Sequence, residues 1–368
     1  MSKTRLIRSI LWLLLFIQIT SYAQVEFLGD PSEILSASTG VQFYSRTLKG
    51  DQNEESIQQW VIPLFSTSRW LRDDLHINVS QTLSTAQLED QPSLSGLEST
   101  KVRATYRLSE NALTYFGFSL PITGADSDVE TARTNNLLYA EALQFGVSRI
   151  TEGTDLDVGF AYARPMGNLS VGLGAGYILK GSYDRIQGTN PISFDPGDAL
   201  SLSITGLFRT ELINLRGKIL FNLYGDDTLG ENRFESGNDL TFLAAGTFRF
   251  EPLHLTLFLA DTIKGESVSE QAGISVNNPF DNRLNAGIGL IYSLMNERLL
   301  LKTRASLKRF FDEGETNMQV DNLSGGFQYF LTDSLALDVS IGLLDGKMDT
   351  GQTDISGYNL NFLAHYGF

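Results

Sequence analysis

The chain has 368 residues, 42% of them hydrophobic and 19% charged, with 34 glycines, 23 phenylalanines, 13 tyrosines and no cysteine. The missing cysteines exclude a disulfide scaffold, a zinc ribbon and a thiol nucleophile. A formal charge of −15 leaves no basic footprint for nucleic acid, and three histidines are too few for a histidine-built metal site.

Lys3, Arg5 and Arg8 precede the apolar run 10–19, which leads into Ser21-Tyr22-Ala23. Charge, apolar stretch and small residues in that order are the pattern of a secretory signal peptide. Residues 1–23 are therefore expected to be removed after Ala23, and 24–368 to form one exported domain. The apolar run is well short of the ~20 residues of a spanning helix. Losing its three basic residues leaves the exported chain more acidic still.

Beyond Gln24 the repeating signal has period two. Leu169, Val171, Leu173, Ala175, Tyr177 and Leu179 alternate with Ser170, Gly172, Gly174, Gly176 and Lys180, and 200–208, 284–294 and 335–343 read the same way. Strands this long exceed the ~5–6 residues usual in soluble sheets and suit the ~9–11 that a tilted strand needs to cross a bilayer. The candidates are 34–47, 57–69, 74–87, 98–109, 112–121, 138–150, 154–164, 168–180 and 198–210. They continue through 212–224, 239–250, 252–263, 283–295, 297–311, 320–331, 333–344 and 356–368, seventeen in all. Short links such as 70–74, 165–168 and 251–252 alternate with longer polar stretches at 86–98, 122–137, 181–198, 225–238, 265–282, 312–321 and 345–356. That asymmetry belongs to a transmembrane antiparallel up-and-down β-barrel with periplasmic turns. An odd count conflicts with both chain ends lying on one side. The conflict falls between residues 121 and 165, so 16 or 18 strands are expected.

In the last segment Tyr358, Leu360, Phe362, Ala364, Tyr366 and Phe368 share a face. A terminal Phe after alternating aromatic and apolar residues resembles the C-terminal strand by which bacterial outer-membrane barrels are recognised. The resemblance implies that Tyr366 and Phe368 form a signal for the barrel-assembly machinery. It also implies a location in the outer membrane of a Gram-negative bacterium, among its lipids and lipopolysaccharide. Ser95-Gly96-Leu97-Glu98-Ser99 and Phe118-Ser119-Leu120-Pro121-Ile122-Thr123-Gly124 resemble the GLGD-type turn and LPTG segment of the phenol-degradation MetA-pathway proteins, relatives of the fatty-acid and aromatic-hydrocarbon channels. Glu98-Ser99 departs from the Asp of that pattern, and Pro-Ile-Thr from its Pro-Thr. The resemblance implies passage of small hydrophobic or aromatic molecules.

Facing assigns the charges. On 297–311 Leu299, Leu301 and Leu307 hold the apolar face, so Lys302, Arg304 and Lys308 point inward; Lys101, Arg103 and Arg107 share another inner face, and Arg216 and Lys218 a third. A cation on the lipid side at the midplane costs about 2–4 kcal/mol. Acids gather in the long stretches, at Asp226, Asp227, Glu231, Glu235 and Asp239. One expectation is an open lumen whose basic wall favours anions; the other is a set of cations locked against an infolded acidic loop. Gly172, Gly174 and Gly176 lie inside a strand, so they read as wall-thinning glycines rather than a phosphate loop. His76, His254 and His365 belong to no motif, and no catalytic residue is assigned. Asp126, Asp128, Asp226, Asp227, Asp312 and Glu313 carry oxygen ligands suited to a hard cation, but solvated loops explain them as well, so no metal or cofactor is assigned. The sequence points to a non-enzymatic outer-membrane channel for small solutes. A non-conducting surface or adhesion barrel is the alternative, and a membrane-embedded hydrolase a third reading.

Overall fold

The computed structural model describes residues 35–367 apart from 51–52, 71–73, 90, 122–131, 148–152, 187–191, 231, 266, 270–273, 277–281, 313–314 and 349–351. The expected signal peptide 1–23, the terminal Phe368, the Ile122-Thr123-Gly124 end of the second motif and the acids Asp126, Asp128, Glu231 and Glu313 lie outside the described residues.

Period-two alternation becomes a closed wall. Its first eight strands are β1 (Leu35–Lys49), β2 (Glu54–Trp70), β3 (Leu75–Leu88), β4 in two pieces (Leu94–Leu97 and Thr100–Arg107), β5 (Ala112–Leu120), β6 (Asp155–Met166), β7 (Leu169–Leu179) and β8 (Ala199–Arg209). The rest are β9 (Ile213–Tyr224), β10 (Asp239–Phe250), β11 (Leu253–Lys264), β12 (Asn282–Leu294), β13 (Leu299–Asp312), β14 (Glu315–Phe330), β15 (Leu335–Met348) and β16 (Thr353–Gly367). β16 pairs with β1 from Ser36 opposite Gly367 to Lys49 opposite Asp354, which closes the ring. Closure matters because lipid offers no partner to an unpaired strand edge. In β4, Leu97 sits opposite Leu83 and Lys101 opposite Ser80, so one extra residue is accommodated as a bulge at Glu98 and Ser99. The GLGD-like turn read from the sequence is this bulge.

The apolar face points outward. Leu173, Ile204, Leu323, Leu343 and Phe362 are each more than half exposed, as lipid-facing side chains must be in an isolated barrel. Trp70, Tyr106, Tyr162, Phe250, Tyr292 and Tyr366 are exposed close to the short-turn end, forming one aromatic girdle there. A hollow of about 400 Å³ in this outer face, between Ile204, Ile219, Phe242 and Leu259, opens where Gly206 and Gly217 face each other.

Two expectations are corrected. Residues 138–150 are not a strand: 132–139 form helix α1 (Ala132–Tyr139), followed by a 3-10 turn over Glu141–Leu143. Its apolar residues Leu138, Ala142, Leu143 and Val147 are 0–3% exposed because they pack inside the barrel. Removing this candidate leaves an even count and ends the parity conflict. Nor are 312–321 and 345–356 long loops, since β14 begins at Glu315, β15 runs to Met348 and β16 begins at Thr353.

The wall has two unequal sides. β1–β3 and β13–β16 run to 14–17 residues, whereas β6–β11 have 11 or 12. The surplus over the ~9–11 needed for crossing stands at the loop end and forms a cup around α1 and its continuation. Above the shorter strands, three hairpins do the same work. They pair Tyr183–Ile186 with Ile192–Asp195, Asp226–Leu229 with Asn232–Glu235, and Ser267–Ser269 with Ile274–Val276. Phe194 opposite Leu229 and Phe234 opposite Ser269 join them into one six-stranded sheet.

Candidate functional site: the barrel lumen

The segment 132–147 enters the lumen at its loop end. Its apolar side chains meet inward residues that break the polar-inside rule: Ile57, Val61, Ala86, Leu88 and Leu94 around Leu138 and Val147, and Leu48, Phe310, Met318, Val320 and Ile355 around Ala142 and Leu143. Polar anchors fix the backbone. Arg46, 1% exposed, donates from Nε to the Leu143 carbonyl at 2.6 Å, from Nη1 to those of Ser45 and Tyr358 at 2.9 and 2.8 Å, and from Nη2 to that of Gln144 at 3.3 Å. Gln144 turns the chain in the left-handed region at φ 49° and accepts from the Asn322 amide at 3.2 Å. Gly146 lies against the Tyr44 ring, where a Cβ would collide with it. Gln59 pairs with Val147, and Arg133 with Glu55. These described anchors and packed clusters all lie on β12–β16 and β1–β4.

One acid of the segment meets the basic wall. Glu141 is paired with Arg283 and with Lys308, the latter at 3.3 Å. Burial pushes its carboxyl up, but Lys308 and then Arg283 outweigh it and hold the carboxyl below its ordinary value.

The eight wall cations named from the sequence separate by partner. Lys101 pairs with Glu98 at 2.8 Å, Arg103 with Asp157, Arg107 with Asp74 at 2.6 Å, and Lys302 with Asp338 at 2.7 Å. Lys308 is the one held by the infolded segment. Arg216 lies within electrostatic reach of Arg209. Lys218, 8% exposed, and Arg304 have no acidic partner among the described residues. The lumen thus mixes the two expectations.

Glycines let aromatic rings lie on the inner wall. A Cβ at Gly159 would strike the Tyr115 ring, one at Gly176 the Tyr115 hydroxyl, and one at Gly287 the Phe258 ring. An arginine covers each ring, with Arg103 Cζ 4.8 Å from the Tyr115 centroid and Arg304 Cζ 4.6 Å from that of Phe258. Gly117 stands between Arg103 and Asp157 in the pairing, and a side chain there would occupy the Asp157 carboxylate's place. Gly176 therefore makes room for the Tyr115 hydroxyl, and Gly174 for that of Ser203.

His76, His254 and His365 are carried by β3, β11 and β16, which are not adjacent, and the described residues include no acid–histidine cluster that could hold a metal. Asp226 pairs with Arg233, and Asp227 accepts from Gly197 N–H and Ser236 Oγ, so these acids brace the hairpins. Tyr366 sits opposite Ala37 in the closing pair of strands. Arg46, Gln59, Glu141, Phe258 and Arg283 escaped the sequence reading. The signal for the first two was apolar residues on both faces, as in Trp60-Val61-Ile62.

No family model matches the sequence, and no curated protein matches it. Among solved structures it is similar to a TodX deltaS2S3 mutant monoaromatic hydrocarbon channel, at 10% identity over 92% of this chain and 91% of that one, with a TM-score of 0.51. A BenF-like porin from Pseudomonas fluorescens Pf-5 aligns at 8% identity over 92% and 99% of the two chains, TM-score 0.48. The CymD monoaromatic hydrocarbon channel aligns at 8% over 91% and 89%, TM-score 0.46. At these identities the likeness is one of fold. The chain is a closed, sixteen-stranded β-barrel of the bacterial outer-membrane type.

Proposed function

We propose that the chain is a passive channel of the Gram-negative outer membrane that admits small solutes and prefers anions, with its loops and hairpin sheet facing outward. The observation that carries this reading is the one-sided filling of the lumen. The anchors of 132–147 lie on β12–β16 and β1–β4 and leave the wall from β5 to β11 clear of them, while Arg304 stands below the segment on β13, exposed and without an acid beside it, and Lys218 on β9, also without an acid, adds positive charge from within the wall. Rings of Lys or Arg favour anions in a pore.

The reading is tested by reconstitution into planar bilayers and measurement of the reversal potential in a KCl gradient. Anion preference is expected, and Lys218→Gln with Arg304→Gln should shift it toward cations. Cation preference in the unmodified protein overturns the basic-wall reading. Absence of conductance favours the surface-barrel reading, for which the six-stranded hairpin sheet is the specific support.

A further inference from the structure

The lumen holds two guanidinium–aromatic stacks built alike on opposite walls. One lies on β4–β6, where Tyr115 rests on Gly159 and carries Arg103; the other lies on β11–β13, where Phe258 rests on Gly287 and carries Arg304. In a ring of sixteen strands these groups face each other. They differ in one respect. The first contains its own carboxylate, since Asp157 is ion-paired to Arg103. The second has none: among the described residues Arg304 has no acidic partner, although its side chain is exposed to the lumen.

We propose that Arg304, held over Phe258, is a binding subsite for a small planar organic carboxylate, an aromatic one above all. A guanidinium stacked on a ring keeps its N–H edge available, and that edge matches a carboxylate in bidentate fashion. Its second face remains available to a flat, conjugated solute, which an aliphatic acid does not offer. Asp157 on Arg103 is the internal model of the anionic half of the contact. The neighbouring inward cation, Lys302, is already neutralised by Asp338 at 2.7 Å, so the uncompensated charge is localised on Arg304. Along β13, Arg304 lies four residues below Lys308, roughly 13 Å at ~3.3 Å per residue. A solute that has passed the Glu141 clamp meets it next.

This inference deepens the channel reading and rests on it for its place in transport, but binding is measurable without conductance. The probes are benzoate, acetate and benzyl alcohol, titrated calorimetrically into the purified full-length barrel in detergent and added to bilayers carrying single channels. Benzoate is expected to bind and to reduce the current, acetate more weakly, and benzyl alcohol more weakly still. Arg304→Gln should weaken benzoate roughly tenfold or more, the range of a charged hydrogen bond. Arg304→Lys, which keeps charge but loses the fork and the stack, and Phe258→Leu should each fall between. Unchanged benzoate binding in Arg304→Gln overturns the subsite, as does equal binding of acetate or of benzyl alcohol. Benzoate binding that depends on Arg304 in a barrel that does not conduct sustains the subsite and overturns the channel reading.

Discussion

The side-chain amide of Gln59 exchanges two hydrogen bonds with the backbone of Val147: Nε2 donates to the carbonyl at 2.8 Å, and Oε1 accepts from the N–H at 3.2 Å. A wall side chain thereby gives the infolded segment what a neighbouring strand would have given it. Nε2 also donates to Ser84 Oγ at 3.0 Å, so the amide is fully engaged while 0% exposed. Gln59→Ala leaves both Val147 groups buried and unpaired, at about 1–3 kcal/mol for each group stranded. The expected result is a lower unfolding temperature and new protease cleavage within 132–147, read on heat-modified gels.

Arg46 is the second anchor, and its buried charge is met by four backbone carbonyl oxygens and by the Tyr44 and Phe145 rings, each centred 5.6 Å from Cζ. Arg46→Met keeps much of the volume and removes the donors to Leu143, Gln144 and Tyr358. Larger and noisier single-channel currents are expected as the segment loosens, and currents identical to wild type would show that the apolar clusters alone hold it.

Glu141 makes the clamp sensitive to acid, with a definite sign. Its carboxyl is held below the ordinary value of 4.5 by Lys308 and Arg283. The contribution of the clamp is therefore complete above that value and is lost only as pH falls through the lower, folded value. Ion selectivity should stay flat from neutral pH down to about 4.5 and change below it. Glu141→Gln removes one negative charge and releases two cations, so it should raise anion preference at neutral pH and abolish the acid step. Reversal potentials across a pH series check both.

Gly159 and Tyr115 test the ring seats. Gly159→Ala drives a methyl group into the Tyr115 ring, an overpacking that costs roughly 1–3 kcal/mol. Tyr115→Leu in the same chain should restore part of the loss. Thermal unfolding of the single and double variants decides whether the collision is the cause.

For assembly, deletion of Phe368 should lower the yield of folded, heat-modifiable barrel while cleavage after Ala23 proceeds normally. Tyr366→Ser, at the seam opposite Ala37, should act in the same direction. Full yield in both would remove the terminal strand from the recognition step.

The wall was legible because lipid and lumen impose opposite chemistry on alternate residues, and nearly every strand carries that alternation. The infolded segment was not, because its apolar residues Leu138, Ala142, Leu143 and Val147 fit a strand as well as a plug when their burial partners, such as Ile57 and Ile355, lie far off in sequence. The wall cations could be given a side but not a partner: nothing local links Lys302 to Asp338 or Arg103 to Asp157. The Phe258 seat was equally hidden, since it depends on Gly287 lying opposite in the next strand.

The hairpin sheet over β7–β12 ties three loops into one crown, and this limits how they can vary. The cross-links are few: Phe194 and Asp195 join the first hairpin to the second, and Phe234 and Glu235 the second to the third. Deleting Phe234 and Glu235 cuts the crown in two, whatever happens at its tips. Three loops that look independent along the chain thus share a common fate.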